Sequence, residues 1–310
     1  MKIVYVSGVK FGHSLLKEIL QHGIDISAVI SYSDSKKAVY SDFISFDSIC
    51  EKFDIKNIKV NNINDLENIE ILKSLNPDLI LVMGWSQLLK KDVIEIPKLG
   101  VIGSHPTELP KYRGRAPIPW TIIKKLSKSA LTFFYIQEGV DDGDIFAQEI
   151  FSINTTDDAT SLYEKITNLG KKMIIKNLRL LEKNKSKRSK QIQSEFIENW
   201  PKRTPDDGLI NWSKSYEEIH LLIKATTHPY PGAFTFFKNH KIIIWKSNFI
   251  KTKISHPGKI LDVTSKYIVV GCLNGKIKIL DAELSNGNSV LLDSIFTKND
   301  IGSFMDIKKI

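Results

Sequence analysis

The sequence predicts an α/β fold with a mostly parallel, doubly wound sheet, followed by a small β-barrel domain. The first thirty residues show a strand–helix–strand pattern, with apolar runs at 2–6 and 24–31 on either side of helical spacing over 11–22. From residue 234 onward, short strands follow one another at regular intervals, which is typical of a small barrel. Because two parallel strands joined by a helix make a right-handed crossover, the opening pattern favours a Rossmann-like sheet.

The other elements of the first domain follow from the same apolar spacing. DLILVM at residues 78–83 has the composition of a buried strand, and Asn76-Pro77 ends the helix before it. Gly23 is placed to end the first helix. Further helices are predicted over residues 46–53, 64–75, 119–126 and 159–181, and further strands over 58–60, 131–136 and 144–153.

Composition changes at residues 200–205, WPKRTP, which we take as a domain junction. The predicted domains are therefore residues 1–199 and 200–310. In the second domain, residues 215–226 have helical spacing, and Asn274-Gly275 is a hairpin signal. Its predicted strands cover residues 234–237, 241–245, 258–263, 267–272 and 276–280.

The composition is that of an ordinary globular protein, with 42% hydrophobic and 25% charged residues among 310. The net charge of +9 favours anionic ligands without choosing among them. Cys50 and Cys272 lack a Cys-x-x-Cys partner motif, which favours reduced thiols in a cytoplasmic protein. No apolar run has the length of a signal peptide core or a membrane span, so we expect no membrane insertion.

Two ligand classes find little support in the sequence. Ser7-Gly8 with Gly12 is not the Gly-x-Gly-x-x-Gly pattern of dinucleotide-binding turns, which argues against NAD. The histidines of the second domain show no metal-ligand spacing, and we expect no metal site. These histidines are His220, His228, His240 and His256.

The most informative stretch is LGVIGSHPTELPKYRGRAPIPW, residues 99–120. Its apolar start stops at Gly103, and His105 follows at once in a segment with too many prolines and glycines for a helix or a central strand. A strand that ends in a stiff loop presents its side chains where open α/β sheets bind ligands. The alternative is a surface loop with a solvated histidine.

A second stretch, GVDDGDI at residues 139–145, follows another apolar run. It fits an ordinary Asp-Gly turn, and it lacks the ligand alternation of a calcium loop. A carboxylate from this turn near His105 would fix the imidazole tautomer, as a general acid–base pair needs.

At these residues a family resemblance is evident. HPTELPKYRGRAPIPW followed by VDDGDI resembles the folate-dependent formyltransferases, whose usual form is Asn-x-His-x-Ser-Leu-Leu-Pro with a later Asp-x-Gly. KYRGRAP with its following Trp is most similar to the sugar N-formyltransferases, such as the transformylase of aminoarabinose lipid modification. RTPDDGLINW at 203–212 and HPYPGAF at 228–234 are similar to the same branch. The resemblance implies an OB-like C-terminal domain.

The resemblance implies formyl transfer from N10-formyltetrahydrofolate to the primary amine of a nucleotide-linked amino sugar, such as a 4-amino-4,6-dideoxyhexose for surface glycan biosynthesis. His105 and Asp141 carry over as catalytic residues, His105 toward the formyl oxygen and Asp141 to orient the imidazole and help move the amine's proton. Lys111 and Arg113 would meet anionic groups of the substrate, or are surface charges. The residues implied at the folate pocket are Gln87, Leu88, Leu89, Arg115, Gln137, Glu138, Gly139 and Val140.

One position departs from the family pattern, because Gly103 stands where the Asn is expected. Such an amide donor stabilises charge on the formyl oxygen and is worth about 3 kcal/mol of barrier. Ser104, or a backbone N–H exposed by Gly103, is the predicted replacement.

Two alternatives stay open at this point. A methionyl-tRNA formyltransferase is disfavoured because the loop at 31–40 carries only Lys36 and Lys37 where that branch has a longer basic insertion. A catalytically impaired binding protein of the same fold is suggested by the missing Asn. We expect a nucleotide-sugar partner and no nucleic acid, and the resemblance allows a homodimer.

Overall fold

The computed structural model describes residues 1–192, 196–253, 256–285 and 295–306. The chain forms two compact units. The N-terminal unit comprises Met1–Pro117, Ser127–Asn154 and Tyr163–Pro201, and the C-terminal unit comprises Ile118–Leu126, Thr155–Leu162 and Lys202–Ile310. The change between the units near residues 201 and 202 lies close to the composition shift seen in the sequence. Among the described residues, no helix has the length and apolar character needed to cross a bilayer.

The N-terminal unit is built on a seven-stranded sheet and a separate two-stranded ribbon. Its strands are β1 (Ile3–Val6), β2 (Ala28–Tyr32), β3 (Asn57–Val60), β4 (Leu79–Val82), β5 (Val101–His105), β6 (Tyr112–Gly114), β7 (Lys128–Tyr135), β8 (Ile145–Ser152) and β9 (Glu198–Trp200). The sheet order is β3-β2-β1-β4-β5-β7-β8. The first five strands in this order are parallel, and β7 and β8 are antiparallel to their neighbours. The predicted α/β fold with a mostly parallel sheet is confirmed.

Helices α1 (Lys10–Gln21), α2 (Asp47–Lys52), α3 (Leu66–Leu75) and α4 (Lys91–Ile94) connect successive parallel strands. Helix α5 (Pro117–Ile123) follows β6, and α6 (Ala159–Glu182) follows β8; most of α5 and the first turn of α6 belong to the C-terminal unit. In α1 the buried positions Leu15, Leu16 and Ile19 recur at helical spacing and form one apolar face. Gly23 follows this helix with φ of +70°, the left-handed conformation that glycine adopts without strain at a helix end.

The core of the N-terminal unit lies on the faces of the parallel strands. All four residues of β1 and all four of β4 are buried, as expected when helices cover both faces of a parallel sheet. This continuous apolar core holds the carboxyl ends of the strands in fixed positions, which is where the loops of the candidate site begin.

The ribbon of β6 and β9 was not expected. Tyr112, Arg113 and Gly114 pair in parallel register with Glu198, Asn199 and Trp200. The stretch 99–120 was predicted to be a loop beyond its first strand, because its prolines and glycines obscure a strand of only three residues. The ribbon fixes the middle of that stretch against the end of the N-terminal unit.

The C-terminal unit contains a five-stranded antiparallel sheet and one main helix. Its elements are α7 (Tyr216–Thr226), β10 (Ala233–Phe237), β11 (His240–Lys251), β12 (Ile260–Val263), β13 (Ile268–Cys272) and β14 (Gly275–Leu284), with sheet order β10-β11-β14-β13-β12. Ser215 and Glu218 form a reciprocal capping box at the start of α7. Phe236 pairs with Asp306 and Lys259 pairs with Phe304. The segment 304–306 therefore lies beside both edges of the sheet, as a barrel-like closure requires.

Candidate active site

His105 is the last residue of β5, between the parallel strand β4 and the antiparallel strand β7. The residue is buried, with 5% of its surface exposed. Its ring atom Nε2 lies 2.9 Å from the backbone carbonyl oxygen of Tyr112. A carbonyl can only accept a hydrogen bond, so Nε2 carries the hydrogen and Nδ1 is left to exchange a proton.

Asp141 faces the other ring nitrogen. Its Oδ2 lies 3.7 Å from Nδ1 of His105, and its side chain is 19% exposed. The same Oδ2 accepts a hydrogen bond of 2.9 Å from the backbone N–H of Gly114. Asp141 has φ of +49°, in the left-handed region. The structure therefore brings together the two residues predicted to be catalytic, and the nearer partner of the imidazole is the Tyr112 carbonyl rather than the carboxylate.

Strand β6 positions both residues that were predicted to be catalytic. The carbonyl of Tyr112 holds His105, and the N–H of Gly114, two residues later, holds Asp141. Gly114 has φ of +102°, and a Cβ here would clash with the carbonyl oxygen of Trp200 on β9. A glycine is therefore required at this point of the YRG sequence. Sequence reasoning missed the role of Tyr112, since it is played by a backbone atom.

Side chains from β7 and β8 hold the loop between β5 and β6. Thr132 Oγ1 donates to the carbonyl of Thr107 at 2.7 Å. Gln148 Nε2 donates to the carbonyl of Leu109 at 3.0 Å and to Thr132 Oγ1 at 2.8 Å. The loop that follows His105 is thus tied to the sheet, which explains how so many turn-forming residues give a defined site.

The position of the expected Asn is closed by an apolar side chain. A Cβ on Gly103 would lie 2.8 Å from Cδ1 of Ile136 and 2.9 Å from its Cγ1. Gly103 also lies opposite Phe134 in the β5–β7 ladder and beside Val82 on β4. Its backbone belongs to the sheet, so a backbone N–H exposed by Gly103 does not supply the missing donor.

Ser104, the other predicted replacement, lies between Gly103 and His105 on the strand. Because successive strand residues point to opposite faces, its side chain is directed away from the face of His105. Its Oγ accepts a hydrogen bond of 3.3 Å from the N–H of Gly84. The structure does not bring Ser104 to the His105–Asp141 pair.

The residues predicted for the folate pocket after β4 have three different environments. The amide of Gln87 donates to the carbonyl of Asn61 at 2.6 Å and accepts from the N–H of Ile63 at 3.0 Å. Leu88 is 72% exposed, whereas Leu89 is buried in the core of the N-terminal unit. Within this group, Leu88 and the backbone are the parts available to a ligand.

The other predicted donor-side residues lie on the surface. Residues 137–140 are exposed, as is Arg115, whose backbone N–H donates to the carbonyl of Trp200 at 2.9 Å. These residues are Gln137, Glu138, Gly139 and Val140. The direct continuation of this segment into Asp141 places it next to the catalytic pair in the chain.

Both predicted substrate-binding cations have partners within the chain. Lys111 donates to Glu108 at 2.7 Å, and this hydrogen bond raises the pKa of the lysine. Arg113 Nη2 donates to Oε1 of Gln191 at 2.7 Å, while its buried Nε has no hydrogen-bond partner among the residues that the structure describes. Among the described residues, no group of three or more His, Cys, Asp or Glu side chains is arranged to bind a metal.

Comparison with known proteins identifies relatives along both units. A family model described as formyl transferase matches residues 1–178, and one described as formyl transferase, C-terminal domain, matches residues 202–299. The chain is 34% identical over 289 residues to the methionyl-tRNA formyltransferase of Alkaliphilus oremlandii, and the match covers 92% of each chain.

The chain is also similar to two proteins with other names. The bifunctional polymyxin resistance protein ArnA of Wigglesworthia glossinidia brevipalpis is 32% identical over 311 residues, which covers 99% of this chain and 46% of ArnA. This chain thus spans about half the length of that relative. The structure of the N-formyltransferase from Helicobacter canadensis, in complex with folinic acid and dTDP-3-aminofucose, is similar with a TM-score of 0.66 and 23% identity, covering 90% of this chain and 99% of that one.

Proposed function

This chain belongs to the formyl transferase family, and we propose that it is an N-formyltransferase whose acceptor is the primary amine of a nucleotide-linked amino sugar. The family takes its formyl group from N10-formyltetrahydrofolate, so the family, the enzyme class and the formyl donor predicted from the sequence are confirmed. The identity of the formyl acceptor is what we propose.

The observation that carries the chemistry is the His105–Asp141 pair. N10-formyltetrahydrofolate supplies an electrophilic formyl carbon when it is bound. In formyl transfer, the acceptor nitrogen would form a new C–N bond while the bond between the formyl carbon and N10 of the donor breaks, so the amine loses one proton and N10 gains one. Nδ1 of His105 is the ring atom free to take that proton, because Nε2 already donates to the Tyr112 carbonyl. Asp141, 3.7 Å away, stabilises the imidazolium that forms.

Sheet topology supports the predicted placement of the formyl donor. Residues 84–89 follow the carboxyl end of β4, and His105 ends the adjacent parallel strand β5. Carboxyl ends of adjacent parallel strands lie at the same edge of a sheet, where open α/β folds bind ligands. Backbone groups of this segment, with exposed Leu88 and Arg115, are our proposed donor contacts.

The loop after β2 favours a small acceptor over tRNA. Tyr40 in this loop stacks on Tyr32 with ring centroids 4.4 Å apart, and Tyr32 stacks on Trp85 at 3.7 Å. The loop is thus packed against the sheet, and Lys36 and Lys37 are its only basic residues. A tRNA acceptor brings phosphates that proteins neutralise with several Lys and Arg side chains. The similarity to the Helicobacter canadensis N-formyltransferase, whose structure holds dTDP-3-aminofucose, also supports a sugar acceptor.

Two observations favour alternative functions for this chain. The 34% identity with a methionyl-tRNA formyltransferase favours a tRNA acceptor. The occupation of the Asn position by Ile136 favours a binding protein with impaired catalysis, since loss of one such donor costs about 3 kcal/mol of barrier.

The deciding experiment incubates the protein with N10-formyltetrahydrofolate and a panel of UDP- and dTDP-linked amino sugars, with products identified by mass. We expect one sugar to gain one formyl group, and the reaction to be slower by about 10² to 10⁴-fold with the His105→Ala variant. Methionyl initiator tRNA is assayed in parallel. Formylation of the tRNA alone would replace the proposal by the tRNA function, and no product from either class would favour the binding protein.

A further inference from the structure

The segment that follows α6 returns to the candidate site. Residues 182–190, EKNKSKRSK, have the composition of a solvated helix end or linker. The structure instead pairs Ser189 with Ile145 at the start of β8, and each N–H donates to the carbonyl of the other, at 3.0 and 2.7 Å. The chain therefore runs beside the end of the loop that carries Asp141.

Gln191 uses both ends of its side-chain amide in this region. Its Nε2 donates to the backbone carbonyl of Asp141 at 2.8 Å and to that of Gly143 at 2.7 Å. Its Oε1 accepts a hydrogen bond of 2.7 Å from Nη2 of Arg113. The side chain is half-buried, so these bonds are partly protected from competition with water.

Arg188 adds a second attachment to the same loop. Its Nε donates to Oδ2 of Asp144 at 2.7 Å, and its guanidinium lies 4.1 Å from the centroid of the Tyr135 ring. The loop between β7 and β8 is thus held at residues 141, 143 and 144 by side chains that come from more than forty positions later in the chain.

The contact with Arg113 connects the two catalytic residues. Arg113 lies between Tyr112, whose carbonyl holds His105, and Gly114, whose N–H holds Asp141. Gln191 therefore links the strand that orients the imidazole to the loop that presents the carboxylate. Asp141 also has φ of +49°. A left-handed backbone is strained for a non-glycine residue, and it persists when surrounding contacts hold it.

We propose that Gln191 is a positioning residue that holds Asp141 against His105. The inference deepens the proposed function, on which its catalytic part rests. Gln191 lies away from the reacting atoms and acts through Asp141. Its chemistry suits the task, because the two carbonyls need N–H donors while Arg113 needs an acceptor, and an amide supplies both.

Gln191→Glu separates this role from simple packing. The glutamate has nearly the same shape and keeps an acceptor for Arg113. It places carboxylate oxygen in front of the carbonyls of Asp141 and Gly143, which repel it. Lys190→Ala is the matched control, because Lys190 is the exposed neighbour on the same segment.

The first part of the test measures the kcat and KM of each variant. We expect Gln191→Glu and Gln191→Ala to lower kcat by about 100-fold, the loss that a misplacement of about 1 Å produces. The KM values for donor and acceptor should stay within about threefold, because neither substrate is contacted. Lys190→Ala should match the parent enzyme. In an Asp141→Ala background, Gln191→Ala should cause no further loss, since a residue that acts through Asp141 has nothing left to position.

The second arm needs no turnover and therefore separates this inference from the proposed function. Hydrogen exchange of the backbone amides in residues 139–145, read by mass spectrometry, should accelerate in Gln191→Glu and Gln191→Ala and stay at the parent rate in Lys190→Ala. Unchanged exchange in both Gln191 variants would overturn the proposal, as would losses that multiply with those of Asp141→Ala. If the parent protein formylates no acceptor, the proposed function fails, and the exchange arm still decides whether Gln191 holds the loop.

Discussion

Ile136 occupies the space into which a side chain at Gly103 would extend, with its Cδ1 atom 2.8 Å from the place of a Cβ. The family pattern has an asparagine at this position, on the face of β5 that carries His105. In this chain the apolar side chain of Ile136 fills the space that the asparagine amide would need. An enzyme with this arrangement must stabilise charge on the formyl oxygen with fewer side-chain donors. If His105 and Asp141 act as proposed, this pair then carries a larger share of catalysis.

The Gly103–Ile136 contact makes a stability prediction. Gly103→Asn alone should lower the free energy of unfolding by about 1 to 3 kcal/mol, because the new side chain overlaps Ile136. The double variant Gly103→Asn, Ile136→Ala should recover most of that loss, and it should raise kcat if an amide at this position assists the reaction. Urea unfolding of both variants and of Ile136→Ala measures the coupling. Equal stability of Gly103→Asn and the parent would show that the space is open.

The backbone of Gly114 makes a second prediction. Gly114→Ala should cost about 2 to 4 kcal/mol, since left-handed strain adds to the overlap with the Trp200 carbonyl. Gly23→Ala is the matched control, with φ of +70° and no atom within 4 Å of the new Cβ, and it should cost about 1 kcal/mol. Thermal or urea unfolding compares them. If the two variants lose the same stability, the contact with Trp200 contributes nothing.

His105 should be needed for turnover and not for folding. His105→Ala is expected to lower kcat by about 10² to 10⁴-fold, the usual contribution of a general acid–base residue. The fold should persist, because Thr107 Oγ1 also donates to the Tyr112 carbonyl and keeps it satisfied. Steady-state rates together with circular dichroism test both parts. Full activity of His105→Ala would falsify the catalytic assignment.

His220 in α7 should make the stability of the C-terminal unit depend on pH. Burial, and to a lesser degree Lys224, lowers the pKa of His220 to about 4 from its usual value of 6.5. Between these two values the unfolded chain binds a proton that the folded chain does not, so the free energy of unfolding falls as pH drops from 6.5 to about 4.

The expected loss for His220 is about 1 to 2 kcal/mol, below the full conversion of the shift because the ring is partly exposed and solvent screens its charge. Urea unfolding at several pH values should show this dependence in the parent protein. His220→Gln keeps a group that can hydrogen bond to Ser247, whose Oγ lies 2.9 Å from Nδ1, and does not titrate. An identical pH dependence in the two proteins would count against the assignment.

Much of the fold could be predicted from the sequence because it follows from apolar spacing. The strand–helix alternation that gives β1, α1 and β2 has a clear period, as do DLILVM in β4 and the helix α7. His105 and Asp141 could be predicted because they follow apolar runs at strand ends. β6 and β9 could not, since strands of three residues show no period and their pairing joins positions more than eighty residues apart.

The support of the site was equally hidden from sequence reasoning. Tyr112 contributes its backbone carbonyl, which every residue has, so its role could not be predicted from its side chain. Gln191 lies 78 positions from Arg113 and 50 from Asp141, beyond any local pattern, in a lysine-rich segment that resembles a solvated linker. Ser104 was predicted as a donor because β5 was expected to end at Gly103. The strand continues through Ser104 to His105, so the side chain of Ser104 lies on the face of β5 opposite to that of His105.

The pairing of His105 with a backbone carbonyl has a consequence for how this protein can change. Tyr112 can be exchanged for other side chains without removing the acceptor that orients the imidazole. A single residue inserted between Pro106 and Lys111 would move Arg113 into the place of Gly114, where a Cβ meets the carbonyl oxygen of Trp200. We therefore expect the site to tolerate a different side chain at Tyr112 better than a change in the length of the loop that precedes it.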